Sequence, residues 1–156
     1  MPDLTFDDFE PGQVLELGSV VVTEDDIVEF ARQFDPQPFH LDHGAAAGTL
    51  FERLVASGWH TAAVTMRLQV ELIPIAGGLV GAAAAVEWPR PTLPGDVLHI
   101  DSEILEVRLA ALGAPCFEHR CRALGHQKIW LRTSCAVRPL CGTGTNVSSR
   151  TRGTAS

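Results

Sequence analysis

Residues Trp59 to Met66, WHTAAVTM, contain no Asp, Glu, Lys or Arg. They lie in GWHTAAVTMRLQVEL, which follows Ser57 as its N-cap and reads as a helix. A helix without a charged face is poorly suited to the surface, because one side of a surface helix must meet water. It has to be enclosed by something. From Leu79 onward the chain changes period, and LVGAAAAVEW, VLHIDSEILEV, CFEHRCRAL and KIWLRTSCAV read as strands, the last two alternating inward and outward residues. PRPTLPGD supplies a turn between the first two, and Gly125-His126-Gln127 a short hairpin loop between the last two. Upstream, Gln13 to Val22 is apolar and β-branched and reads as one more strand. The order of strand, helices and then strands predicts an α+β architecture, with an antiparallel sheet against one buried helix.

Length and composition bound the rest. The 156 residues, 46% hydrophobic and 20% charged, suit one globular domain over residues 1–140. Residues 141–156, small and polar, read as a disordered tail. No apolar run reaches the length of a membrane span, and Gly77 to Val86 is mostly Gly and Ala. The N-terminal MPDLTFDDFEPG is acidic, with neither a basic start nor an apolar signal core, so a cytoplasmic location is expected. A net charge of −7 without a Lys/Arg cluster argues against nucleic acid as a partner, yet leaves room for a few arginines at a small anionic carrier. Cys116, Cys121, Cys135 and Cys141 form no C-x-x-C pair and read as buried or incidental thiols. His43, His60, His99, His119 and His126 lack metal-ligand spacing, and no metal is expected; His99 and His119, in alternating strands, read as structural or solvent-facing.

The chemistry concentrates in FDPQPFHLD, Phe34 to Asp42. It ends a helix that Thr23 caps, with Asp26 three residues on, and whose Ile27, Phe30, Ala31 and Phe34 share the face expected to meet a core. Pro36 and Pro38 stop that helix, each lacking an N–H and each forcing its predecessor into extended geometry. By itself this leaves two readings open. Asp35 and His40 are either a helix terminator and an ordinary loop histidine, or an acid and a base held by a rigid turn, as proton transfer requires. Phe34, Phe39 and Leu41 would desolvate such a pair and raise the carboxyl pKa. TLFERLVA reads as a further helical piece, with Leu50, Phe51, Leu54 and Val55 along one side. Ser57-Gly58-Trp59 is either a plain helix start or a place where exposed N–H groups and close backbone approach receive an oxyanion.

Taken together these segments resemble a known family. DPQPFHLD is similar to the D-x-N-P-x-H-x-D motif of MaoC-like dehydratases, which include the (R)-specific enoyl-CoA hydratases, with Gln37 where the motif often has Asn. LVASGWHTAAVTMRL resembles the family's central-helix entry, and WPRPTLPGD its W-x-x-P-x-x-P-G-D turn. The three occur in the family's order, over roughly residues 10 to 140.

The resemblance implies a hot-dog fold, in which the sheet wraps a long central helix. It also implies a homodimer or higher oligomer of dimers with sites near the subunit interface. Asp35 and His40 would be the catalytic pair, Gly58 would offer the N–H that holds the thioester oxygen, and Ser57, Trp59 and Gln37 would complete the substrate-binding set. The implied reaction is hydration of a 2-enoyl thioester or dehydration of a 3-hydroxyacyl thioester. No cofactor is required, since coenzyme A or acyl carrier protein enters as part of the substrate. An acyl-CoA thioesterase on the same fold and a non-catalytic subunit of a hetero-oligomeric dehydratase are the alternatives.

Overall fold

The computed structural model describes residues 4–75, 78–109, 115–124 and 128–137. The expected hairpin loop at 125–127 and the expected tail at 141–156 lie outside the described residues. Strand β1 (Val14–Val21) is followed by helices α1 (Glu24–Phe34), α2 (Pro38–Leu41), α3 (His43–Ala46) and α4 (Gly58–Leu72). Strands β2 (Leu79–Glu87), β3 (Val97–Leu109), β4 (Pro115–Leu124) and β5 (Lys128–Val137) complete the chain. They form a five-stranded sheet in the order β1-β3-β4-β5-β2, antiparallel throughout. This is the α+β hot-dog arrangement expected from the sequence, with α4 packed on β1 and β3.

Local chemistry accounts for the joints. Thr23 caps α1 by accepting from the Asp26 N–H, and the Pro-Gln-Pro run separates α1 from α2. Gly18, at φ 81°, sits where the β1–β3 register shifts between Glu16 and Ser19; only glycine adopts that backbone without strain. Leu93-Pro94-Gly95-Asp96 closes with Asp96 N–H donating to Leu93 O at 3.1 Å, and Gly95 has φ 85°, the type II turn expected of Pro-Gly. Asp96 also accepts the Leu93 N–H on its side chain, and Gly95 N–H donates to Val22 O while Val22 N–H donates to Asp96 O, tying the turn to the end of β1.

The core gathers Phe9, Leu17, Val22, Ile27, Leu54, Ile73, Leu98, Ile100 and Ile104. Three expectations are corrected here. Phe34 does not share the buried face of α1; it is the last residue of the helix and is 68% exposed, while Ile27 and Ala31 are fully buried. TLFERLVA is not helical but a series of turns running into an extended segment, with Glu52 in the left-handed region (φ 56°) and Leu50 90% exposed. The segment's propensity yields to backbone pairing: Val55 N–H donates to Phe39 O and Ala56 N–H to Thr92 O, which holds residues 54–57 extended and buried. Finally, α4 is enclosed on one face only, and that face is polar: His60, Thr61, Thr65 and Gln69 are buried, while Trp59 and Val70 are exposed.

Internal hydrogen bonds satisfy part of that polar face, leaving His60 Nδ1 and Gln69 Oε1 without a hydrogen-bond partner among the described residues. Thr61 and Thr65 donate their hydroxyls back to Gly58 O and Thr61 O. Gln69 Nε2 donates to His119 Nδ1 at 2.9 Å, and Ser102 Oγ lies 3.0 Å from the same atom. His119 is therefore buried and structural, whereas His99 is exposed. An Nδ1 that accepts an amide N–H belongs to a neutral ring, and burial pushes the His119 pKa down to about 4. The unfolded ring binds a proton near its ordinary value of about 6.5, so between that pH and about 4 the unfolded chain carries a proton the fold excludes. Stability thus falls as pH drops through this window, by at most about 1.4 kcal/mol per pH unit from this group. His119→Asn should narrow the difference between urea unfolding midpoints at pH 5 and pH 7, whatever its effect at either pH alone.

Candidate active site

The end of α1, the short α2 and the start of α4 meet at one cleft. Asp35 is the C-cap of α1, His40 lies within α2, and Gly58 is the first residue of α4. The cleft measures about 450 Å³, and its walls include Asp35, Gln37, His40, Gly58 and Trp59. Phe39, Phe51, Val55 and Ala56 supply apolar lining, and Trp88-Pro89-Arg90-Pro91 forms the opposite wall.

His40 is held by its buried side. Its Nδ1 lies 2.7 Å from Val55 O, and a carbonyl can only accept, so Nδ1 carries a hydrogen and donates it there. Nε2 faces Asp35 Oδ2 at 3.4 Å. Phe39 stands edge-on to the imidazole, centroid to centroid 4.5 Å, and fixes its plane. The two prolines thus bring acid and base together, as the loop geometry predicts.

Asp35 is held from both sides. Ser57 Oγ donates to Oδ2 at 2.6 Å and Gln37 Nε2 donates to Oδ1 at 2.9 Å. Partial burial pushes the carboxyl pKa up, but the bonds from Ser57 and Gln37 and the attraction of His40 outweigh it, and the net position is below the ordinary carboxylate value. This reverses the expectation that neighbours would raise it. Phe34 is exposed and cannot desolvate the pair, and the donors around Asp35 stabilise its charged form. The carboxylate is ionised at neutral pH.

Ser57 occupies a different place from the one its motif suggests. It is completely buried and does not face the cleft; its hydroxyl accepts the Trp59 N–H while donating to Asp35. One residue thereby caps α4 and anchors the carboxylate, a link across 22 positions of sequence that no local pattern reveals. Gly58 lines the cleft, and as the first residue of its helix it has an N–H with no carbonyl a turn earlier to accept it. The positive end of the α4 dipole lies at the same point. Trp88 of the opposite wall covers the glycine so closely that an added Cβ would stand 2.7–2.9 Å from the indole ring. Arg90 was not separable from the other arginines in sequence, because only the tertiary fold brings the loop between β2 and β3 to this cleft.

Comparison with known proteins agrees with this fold. Residues 8–114 match the family described as MaoC like domain. Protein YdeM of Bacillus subtilis (strain 168), itself uncharacterized, is 31% identical over 105 residues, covering 66% of this chain and 74% of YdeM. Among solved structures, the MaoC-like dehydratase from Rhodospirillum rubrum is 37% identical with a TM-score of 0.77, covering 88% of this chain and 99% of its own. The (R)-hydratase from A. caviae involved in PHA biosynthesis shares the fold at 23% identity and a TM-score of 0.69, covering 81% of this chain and 96% of its own. Fold and site define a hot-dog protein of the hydratase/dehydratase class. The chain belongs to the MaoC-like domain family.

The packing of Trp88 on Gly58 makes a direct test possible. Gly58→Ala forces the indole aside, so its intrinsic tryptophan fluorescence should differ from that of the parent. The unfolding free energy should also fall by about 1–3 kcal/mol, as overpacking typically costs. An unchanged emission spectrum would contradict the close approach.

Proposed function

We propose that the protein hydrates 2-enoyl thioesters, and in reverse dehydrates 3-hydroxyacyl thioesters, at the cleft between α2 and α4. The observation that carries this reading is the Asp35–His40 pair, with its carboxylate ionised and its imidazole Nε2 turned toward it, in one cleft with Gly58. A water held between Asp35 and Nε2 loses a proton to one of them as its oxygen bonds to the β-carbon. The pair then delivers that same proton to the α-carbon, which returns both members to their starting state. During the step the thioester oxygen gains enolate charge, and the Gly58 N–H at the helix start meets it. Such donors are worth about a hundredfold or more in rate. Membership in the family and the 37% identity to the Rhodospirillum rubrum dehydratase support the reaction class. The A. caviae (R)-hydratase supplies a relative of the same fold with the corresponding hydration activity in its name.

The apolar lining by Phe39, Phe51 and Val55 suits an acyl chain, and Arg90 at the Trp88–Pro91 wall suits an anionic carrier such as coenzyme A or acyl carrier protein. No further cofactor takes part in this scheme. A homodimer is part of the same proposal: β2 stands at the edge of the sheet with Val80 exposed, and the open face of α4 exposes Trp59 and Val70, surface that a second copy would cover. Among the described residues no helix is long and apolar enough to cross a membrane, and a cytoplasmic setting is proposed with the acyl-thioester substrate.

Mixing the protein with short 2-enoyl-CoAs should remove the enoyl absorbance without releasing free thiol. Asp35→Asn should abolish that signal with the circular dichroism unchanged; full activity in this variant would sink the assignment, and thiol release from saturated acyl-CoAs would point to a thioesterase instead. Arg90→Ala should raise KM for a CoA thioester by about two- to tenfold, the worth of one charged contact at a partly exposed site, and leave KM for the matching pantetheine thioester unchanged. An equal effect on both thioesters would remove Arg90 from carrier recognition.

A further inference from the structure

Gln37 occupies the N-cap position of α2, with extended backbone at φ −82° and ψ 146°, yet its side chain makes no capping bond. The residues that cap well are short: their oxygen reaches the N–H of the second or third helical residue, and one further methylene carries an amide past that point. The Gln37 amide turns the other way. Its Nε2 donates to Asp35 Oδ1 at 2.9 Å, two residues back along the chain and in the same cleft.

The consequence concerns the plane of the carboxylate. Rotation about the Cβ–Cγ bond of an aspartate is broad and weakly restrained. A donor on one oxygen alone leaves that rotation largely open. Ser57 holds Oδ2 from the buried side, and Gln37 holds Oδ1 from the exposed side, so the two bonds together fix the group's orientation. Proton transfer depends steeply on such orientation.

We propose that Gln37 is a positioning residue, whose amide fixes the plane of the Asp35 carboxylate toward the cleft in place of capping α2. This rests on the hydratase reading of the cleft. His40 on α2 is the charged group that acts on Asp35; the elements around it also carry Glu24, Asp25, Asp26, Glu29 and Arg32 on α1, His60, Arg67 and Glu71 on α4, and Arg90 in the cleft wall. All of them stay in place when only Gln37 is changed, so a shift in Asp35 titration reports the amide itself. Gln37 is exposed and water competes for its bond, which sets the scale of the effect at that of a single hydrogen bond.

Two variants separate positioning from mere fold support. Gln37→Met keeps the length and removes the donor. Turnover should fall about two- to tenfold with KM within about twofold, and the acid limb of the kcat/KM profile should move to higher pH, because a bond favouring the charged carboxylate is gone. Gln37→Asn shortens the amide to capping length; the unfolding midpoint should equal or exceed that of the parent, while the acid limb again moves up. A carboxylate titration of Asp35 followed by carbon-13 NMR reads the same shift without turnover, so it still tests the role of Gln37 if no enoyl thioester is hydrated. Identical Asp35 titrations in the parent and Gln37→Met would overturn the proposal, as would a Gln37→Asn variant that loses stability but keeps the parent pH profile.

Discussion

The hydrogen bond from Ser57 Oγ to Asp35 Oδ2, 2.6 Å long, ties together the parts of this molecule that matter most. It joins the end of α1 to the start of α4 across 22 residues, and the same serine caps α4 by accepting the Trp59 N–H. The position of the carboxylate is thus referenced to the central helix, and the central helix is referenced to the sheet. His40 is fixed by a separate route, through Val55 O, but Val55 lies in the extended segment leading directly to Ser57. A short stretch of buried backbone, bonded to Phe39 on one side and Thr92 on the other, therefore sets the distance between acid and base.

The electrostatics follow from that frame. A carboxylate near a helix start, with donors on both oxygens, is more stable charged than neutral, even though part of its surface is removed from water. The same helix carries the opposite case at its other end. His119 is enclosed against Gln69 and Ser102, where burial excludes the charged form. One element thus passes from a site that stabilises charge to a core that rejects it. Along its buried face Thr61 and Thr65 satisfy their hydroxyls by returning them to the helix backbone.

Much of this was legible along the chain. The period changes marked every strand, and Pro36 and Pro38 announced both the end of α1 and a turn holding Asp35 and His40. Pro94-Gly95 specified its turn for the same reason: φ is limited at proline and free at glycine, so the backbone follows from the residues alone. Periodicity misjudged Phe34 and Leu50, since it reports which residues share a face and not whether anything packs against that face.

Local chemistry, then, was determined by sequence: where α1 and α4 begin, where α1 ends, where strands run, and which segment carries an acid and a base. These depend on backbone sterics and on residue spacing within a few positions. The tertiary structure alone decided that Ser57 serves Asp35 instead of the cleft, that Trp88 covers Gly58, that Arg90 joins this wall, and that the Asp35 pKa goes down and not up. Each of those outcomes is a sum over groups far apart in the chain. Hydrogen bonding, desolvation and charge attraction act over a few ångströms of space, and only the folded chain brings those groups within that range.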